Sequence, residues 1–185
     1  MAFNVTDFTG VISTKGLASS NKFEVDIFFP SGASKKQFNL MCDSATIAGK
    51  TIQSVADVAY GIRREVAYGA PSYEPLTLTF YCTEKLEERK ELENWQQKIV
   101  ATASTEHPLN GGTFNVGYYD DYAKNAKIIV TKLSVTGETV YKHEYREVYP
   151  KTITAIELSH GTSSAPVKIS ATFNYIYWRD VTTNL

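Results

Sequence analysis

The sequence predicts a mainly β protein built from two packed antiparallel sheets, sandwich- or barrel-like, with one flanking α-helix. Three observations carry this. Apolar and polar residues alternate over several segments, the period of a half-buried strand. Of the aromatic residues, 12 are Tyr and 9 are Phe, types that suit pleated surfaces with one wet side. Only residues 83–102 show clear helical spacing.

The elements follow in order. Residues 1–21, rich in Ser, Thr and Gly, read as an N-terminal arm, flexible when alone. Phe23, Val25, Ile27 and Phe29 alternate with Lys22, Glu24, Asp26 and Phe28 as a strand, which Pro30-Ser31-Gly32 ends. Phe38, Leu40 and Cys42 alternate with Gln37, Asn39 and Met41, and the short connection predicts an antiparallel hairpin. Residues 43–54 read as an extended loop. From Val58 to Tyr68 the pattern is one strand, with Tyr60, Ile62, Arg64, Val66 and Tyr68 on one face. Leu76 to Cys82 is another. Leu86, Leu92, Trp95 and Ile99 define the helix, with Thr83 as N-cap, Glu84, Glu87 and Glu88 at its start and Lys98 near its end, as the helix dipole favours. Trp95 is expected in the core.

Asn110-Gly111-Gly112 marks a tight turn, and Phe114 to Tyr119 a short strand. Ile128 to Val135 is β-branched, and Gly137 turns the chain into Glu138–Val148. That segment also fits a helix through Tyr141, Tyr145 and Val148, but its Thr, Val and Tyr content favours a strand. Tyr149-Pro150 breaks it, Ile153 to Leu158 is partly alternating, and 160–164 is a loop. A long strand follows, with Val167, Ile169, Ala171, Phe173, Tyr175 and Tyr177 on one face. The 185 residues are expected to form one domain, 1–185, large enough to bury a core without staples.

Charge and motifs exclude several function classes. The net charge is -1, unlike a protein that grips nucleic acid through clustered Lys and Arg. No segment reaches the roughly 18 apolar residues of a membrane helix, and the N-terminus has no secretory pattern. Cys42 and Cys82 lie in alternating segments, where a reduced Cys acts as a small hydrophobe. His107, His143 and His160 are not spaced as metal ligands. Phosphate-loop and nucleophile-elbow motifs are missing. Asp120-Asp121 beside Tyr118, Tyr119 and Tyr122 is the one cluster that suggests sugar chemistry, but adjacent residues do not converge on one bond. Arg63-Arg64 fits an ion pair with Glu65 or another acid. No catalytic, cofactor or metal site is expected.

Long aromatic strands with a single covering helix leave open sheet edges, which identical neighbours in a ring would close. The segment order agrees. Lys22-Phe23-Glu24-Val25-Asp26-Ile27, Phe38-Asn39-Leu40-Met41-Cys42, the loop through Ala48-Gly49, Tyr60-Gly61-Ile62-Arg63-Arg64-Glu65-Val66, Leu76-Thr77-Leu78-Thr79-Phe80, Asn94-Trp95-Gln96, Tyr149-Pro150-Lys151-Thr152-Ile153 and Tyr175-Ile176-Tyr177-Trp178 follow one another. Their order and spacing resemble the tail tube proteins of T4-like, contractile-tailed bacteriophages, with additional length around residues 1–20 and 135–148.

The resemblance implies the tail-tube fold and hexameric rings stacked into a tube in the virion tail. Sheath, baseplate initiator and tape measure proteins would be its partners, and genomic DNA would cross the lumen without tight binding. It also implies an inter-ring contact loop, with Thr46, Ile47, Ala48, Gly49, Lys50, Thr51, Ile52 and Gln53 as candidates. The rival readings are a baseplate tube initiator, the tube subunit of a related contractile injection system, a monomeric carbohydrate-binding module using its Tyr residues, and a tail-associated hydrolase starting from Asp120 and Asp121.

Overall fold

The computed structural model describes residues 4–59, 61–101, 115–161 and 165–182. In chain order they form α1 (Val5–Lys15), β1 (Phe23–Phe28), α2 (Lys36–Leu40), β2 (Cys42–Ala45), β3 (Lys50–Thr51), β4 (Ser54–Ala59), β5 (Ile62–Ala67), β6 (Ser72–Tyr73) and β7 (Leu76–Tyr81). Then come α3 (Glu87–Ile99), β8 (Val100–Ala101), β9 (Asn115–Val116), α4 (Tyr119–Tyr122), β10 (Lys127–Leu133), β11 (Thr139–Arg146), β12 (Tyr149–Ile153), β13 (Lys168–Asn174) and β14 (Tyr177–Asp180).

Two four-stranded antiparallel sheets carry the fold, ordered β1-β10-β11-β14 and β12-β13-β7-β2. They are limbs of one bent ladder. The chain runs from β11 into β12 through Glu147, at φ 55, and from β13 into β14 through Tyr175 and Ile176. Arg146 pairs with Tyr177 on one side of the corner and Tyr149 with Asn174 on the other. The Ile176 N–H donates to the Arg146 carbonyl between them (3.2 Å). Strands that switch sheets are how such corners are made.

Alternation places the core. Ile27, Ile128 and Tyr145 of the first sheet and Leu76, Leu78, Phe80, Ile169, Ala171 and Phe173 of the second are fully buried in one cluster. Burying one such large side chain stabilises by about 1.5–3 kcal/mol. The amphipathic α3 closes the core with Leu92 and Trp95. The Trp95 ring packs 5.3 Å from Phe29 and 6.1 Å from Phe173, and its Nε1–H donates to the Tyr122 carbonyl (2.8 Å). Just beyond α3 the chain returns so closely that a Cβ on Gly117 would lie 2.2 Å from the Lys98 carbonyl oxygen, so only glycine fits.

Several expectations need correction. Residues 36–40 are the short helix α2, not a strand, and β2 pairs with β7, not with β1. Asn39 explains why: its side chain accepts the Ile27 N–H and donates to Asp26, so α2 covers part of the edge of β1 (3.0 Å each). Residues 58–68 are not one strand but contain the turn of a hairpin, β4–β5, with Gly61 at φ 80; Tyr60 lies outside the described residues. The predicted loop at 43–54 holds parts of β2 and β4 and all of β3. The break expected at Tyr149-Pro150 falls at Glu147, between β11 and β12, and Pro150 itself sits in β12, an edge strand, where its missing N–H is tolerated. The last strand is split at the corner into β13 and β14. Thr83 does accept the Glu87 N–H (3.3 Å), but Leu86, at φ 54, holds the cap position of α3. His107, the turn at 110–112 and Phe114 lie outside the described residues, as do positions 162–164 of the predicted loop.

The N-terminal arm contains a helix that its Ser, Thr and Gly content conceals. Asn4 caps α1 through a bond from the Thr6 N–H (3.0 Å), and Gly16, at φ 70, ends it.

Candidate assembly surfaces

An extended apolar surface is exposed on a ribbon that leaves the second sheet. The β2–β7 ladder continues as the β3–β6 pair and then as β4–β5, to a tip at Gly61. At about 3.3 Å per residue, the six-residue strands β4 and β5 reach roughly 20 Å. None of their described side chains belongs to the core. Val55, Val58 and Val66 are 49%, 67% and 43% exposed, and Tyr68 at the base is 70% exposed. A two-stranded hairpin is marginal in water by itself, so this ribbon is an element that lacks the third surface it needs.

Its two faces differ chemically. Cross-strand register puts Val55 with Val66 and Asp57 with Arg64 on one face. There the Arg64 guanidinium donates twice to Asp57 (2.9 and 3.0 Å), so the pairing expected for the Arg63-Arg64 doublet is made by Arg64 with Asp57, not with Glu65. The other face pairs Val58 with Arg63 and Ala56 with Glu65. Among the described residues, Glu65 accepts only the Ser54 hydroxyl there (3.1 Å).

The eight candidate loop residues form the stem of this ribbon. Thr46 donates its N–H to Thr77 (3.0 Å), and Gly49 exchanges bonds with Glu74 (3.1 and 3.3 Å). The Gln53 carbonyl accepts the Tyr68 N–H (2.8 Å). Ala48 is buried, whereas Thr46, Ile47, Lys50, Thr51, Ile52 and Gln53 are exposed. Sequence reading missed the hairpin beyond them; the available signal was Gly61 between two valine-bearing segments.

Ala48 is tied to the core by a polar relay. Its N–H donates to the Tyr145 hydroxyl (3.1 Å), which lies 3.5 Å from Nδ1 of the buried His143, while Nε2 of His143 bonds the Tyr141 hydroxyl. The His143 ring stacks on Trp178 at 4.3 Å. A neutral imidazole satisfies the relay: Tyr145 donates to Nδ1, and Nε2–H donates to Tyr141. A proton on Nδ1 would leave the Tyr145 hydroxyl hydrogen without an acceptor.

Burial holds the His143 pKa below its ordinary value, and Asp180, opposite it on β14, opposes that only in part. The unfolded chain therefore binds the extra proton more readily, and stability falls as pH drops below about 6.5. Denaturant unfolding from pH 7 to 5 is expected to show a loss of up to about 1.4 kcal/mol per pH unit, with a shallower slope in His143→Gln. Parallel pH profiles for the two proteins would rule this out.

Two further surfaces are open. No residue of α1 is buried, and Val5, Phe8 and Ile12 recur at helical spacing along it. The outer edges of β2 and β14 pair with no strand among the described residues. At β12, by contrast, Gln96 of α3 donates to the Lys151 carbonyl (3.3 Å) and Arg89 to that of Thr154 (3.1 Å).

The outward faces of the two sheets also differ. The first carries Glu144, which is buried under Arg179 (2.6 Å), Arg146 (2.8 Å) and Lys127 (3.8 Å). Their charges and the Arg179 hydrogen bond outweigh burial and hold its carboxyl below the usual range. The central strands of the second present Thr77, Thr79, Ser170, Thr172 and Asn174, opposite in alternation to its core residues. At the end of that face Lys168 is neutralised by Asp43 (2.8 Å).

The Asp120-Asp121 pair offers no convergent acid and base. Both sit in the single turn of α4 beside an open hollow of about 490 Å³, and Asp120 is bound to Lys124 (2.6 Å). Among the described residues, no group of three His, Cys, Asp or Glu is placed to hold a metal, and no helix is long and apolar enough to cross a membrane. Cys42 and Cys82 are free thiols, and burial pushes Cys42 up to about 12.

Comparison with known proteins places this geometry. A family model described as phage tail tube protein matches residues 18–181. Among solved structures the chain is similar to one in the 6-fold symmetrised anti-feeding prophage baseplate, with TM-score 0.62, 11% identity, and coverage of 91% of this chain and 98% of that one. It is also similar to a chain of the PVC sheath-tube complex in the extended state, part of an extracellular contractile injection system, with TM-score 0.58, 10% identity, and coverage of 97% and 100%. A chain of the anti-feeding prophage cap gives TM-score 0.62 at 14% identity, over 90% and 92%. At these identities the likeness is one of fold. No curated protein sequence matches the chain.

Proposed function

The chain belongs to the phage tail tube protein family and is a structural subunit of the virion's tail tube, and from that premise we propose that it acts without catalysis, as hexameric rings stacked into a genome conduit. The observation that carries this reading is the ribbon: a long two-stranded element with exposed valines and no core, beside sheets with open edges. Sheath protein surrounds the tube, a baseplate initiator starts it and the tape measure protein lies within it. Residues 1–185 act as one domain, with 1–21 as an arm. The exposed residues of the 46–53 stem take part in ring-to-ring contact together with the ribbon beyond it.

The lumen wall is the outward face of the second sheet. A conduit must not hold DNA, and each cation that neutralises a phosphate adds salt-dependent grip. Thr77, Thr79, Ser170, Thr172 and Asn174 carry no charge, whereas the first sheet's outward face carries the cluster around Glu144.

Size-exclusion chromatography with light scattering, followed by electron microscopy of the concentrated protein, tests the assembly. Six-membered rings or open tubes are expected, alone or after addition of baseplates. A chain that stays monomeric in both conditions contradicts the reading. A second reading, the tube subunit of a contractile injection system, is favoured by the fold likeness to the sheath-tube complex.

A further inference from the structure

One charged face of the ribbon and one groove beside the bent sheet match each other, yet they do not meet within a chain. The groove, about 300 Å³, runs between β1 and α2, where the bent sheet is left open between β1 and β2. Phe23, Glu24 and Asp26 line one side; Lys36, Leu40 and Cys42 line the other. Leu40 is 74% exposed. The Asp26 carboxylate is engaged by Asn39, but among the described residues neither Glu24 nor Lys36 forms an ion pair.

The ribbon supplies the complement. On its Val58 face stand Arg63 and Glu65; among the described residues Arg63 forms no ion pair and Glu65 is held only by the Ser54 hydroxyl. These two are i and i+2 on one strand, about 7 Å apart on the same face. A cation and an anion beside an exposed valine thus face an anion and a cation beside an exposed leucine. The opposite ribbon face is already neutralised internally by Arg64 and Asp57, which leaves the Val58 face as the one that gains from a charged partner.

Building on the tube reading, we infer that the Val58 face of the ribbon docks into the β1–α2 groove of a second copy of this chain. Arg63 meets Glu24, Glu65 meets Lys36, and Val58 covers Leu40. Ribbon and groove are different surfaces, so the contact is heterologous. Such contacts propagate into rings or open-ended stacks instead of closing a two-fold dimer.

Charge reversal tests the match. Arg63→Glu and Glu24→Arg each place like charges together and are expected to reduce the assembled fraction at least tenfold; the double variant, with the pair inverted, is expected to recover to within about threefold of wild type. Both positions are exposed, so circular dichroism and melting of the monomers should not change. Assembly is read by sedimentation and electron microscopy. Single variants that assemble like wild type overturn the docking and leave the tube reading standing. Loss in both without recovery in the double variant overturns this pairing. A wild type that fails to assemble even with baseplates overturns docking and tube reading together.

Discussion

A chain in which residues 54–67 are replaced by Asn-Gly is expected to fold and to fail to assemble. The cut is placed where the ladder can close. The Tyr68 N–H donates to the Gln53 carbonyl at 2.8 Å, and a two-residue Asn-Gly turn is the connection that such a hairpin end accepts. Among the described residues, nothing removed belongs to the core: the buried cluster and the residues packed on it come from β1, α2, β2, β7, α3, β10 to β14 and the adjoining turns, and from neither ribbon strand. Thermal melting of the shortened chain should therefore lie within a few degrees of wild type, a shift worth about 1 kcal/mol or less.

Assembly should suffer far more. The half-exposed Val55, Val58 and Val66 would each gain on the order of 1 kcal/mol when covered by a neighbour, part of the 1.5–3 kcal/mol of full burial. Together, over the two faces of the ribbon, they account for roughly 3 kcal/mol, or about a hundredfold in the association of each subunit, and a tube repeats the ribbon at every subunit. Light scattering and electron microscopy of the shortened chain decide the matter. Tubes of normal length would show that the ribbon does not hold the assembly together.

How much of this was legible beforehand depends on whether burial matched the alternation. In β7 and β13 it did: Leu76, Leu78 and Phe80, then Ile169, Ala171 and Phe173, are the buried residues of those strands. The α3 pattern was equally plain, because Leu92 and Trp95 had to face the core. Three misreadings have physical causes. Residues 37–42 alternate over too short a run to separate a strand from one turn of helix, and it is Asn39, bonded to the β1 edge, that gives the helix its place. The ribbon turn at Gly61 lacks the usual Asn-Gly signal, and the alternation read from Val58 to Tyr68 in the sequence runs straight through it. The corner between β13 and β14 is silent because Tyr175 and Tyr177 keep the alternation while the backbone changes sheet. The stem at 46–53 was found from the resemblance; its role as the base of a ribbon needed the pairing of β3 with β6.

Placing Arg at Thr79 and Thr172 is expected to leave the tube intact and to slow the passage of DNA through it. Both side chains point away from the core on the two central strands of the second sheet, where Thr172 pairs with Thr77 and Thr79 with Ser170. Exchanges on such a surface alter strand stability by about 1 kcal/mol or less, so rings and tubes should still form in the microscope. If this face lines the lumen, as proposed, the change there is much larger. Every subunit then adds two cations to a wall of hydroxyls and an amide, and each phosphate neutralised steepens the fall of log K with log salt by about 0.9 for duplex DNA. Purified variant tubes should therefore retain DNA at low salt and release it as salt is raised, while wild-type tubes retain little at either. Virions carrying the variant subunit should contract their sheaths yet deliver their genomes slowly. The control lies in the sign: Thr79→Asp with Thr172→Asp adds the same number of charges but repels phosphate, and delivery should stay near wild type. If the Arg tubes bind DNA no better than wild type, these two strands do not face the lumen. The hydroxyl surface would then belong to the outside of the tube, and the charged sheet around Glu144 would have to line the channel.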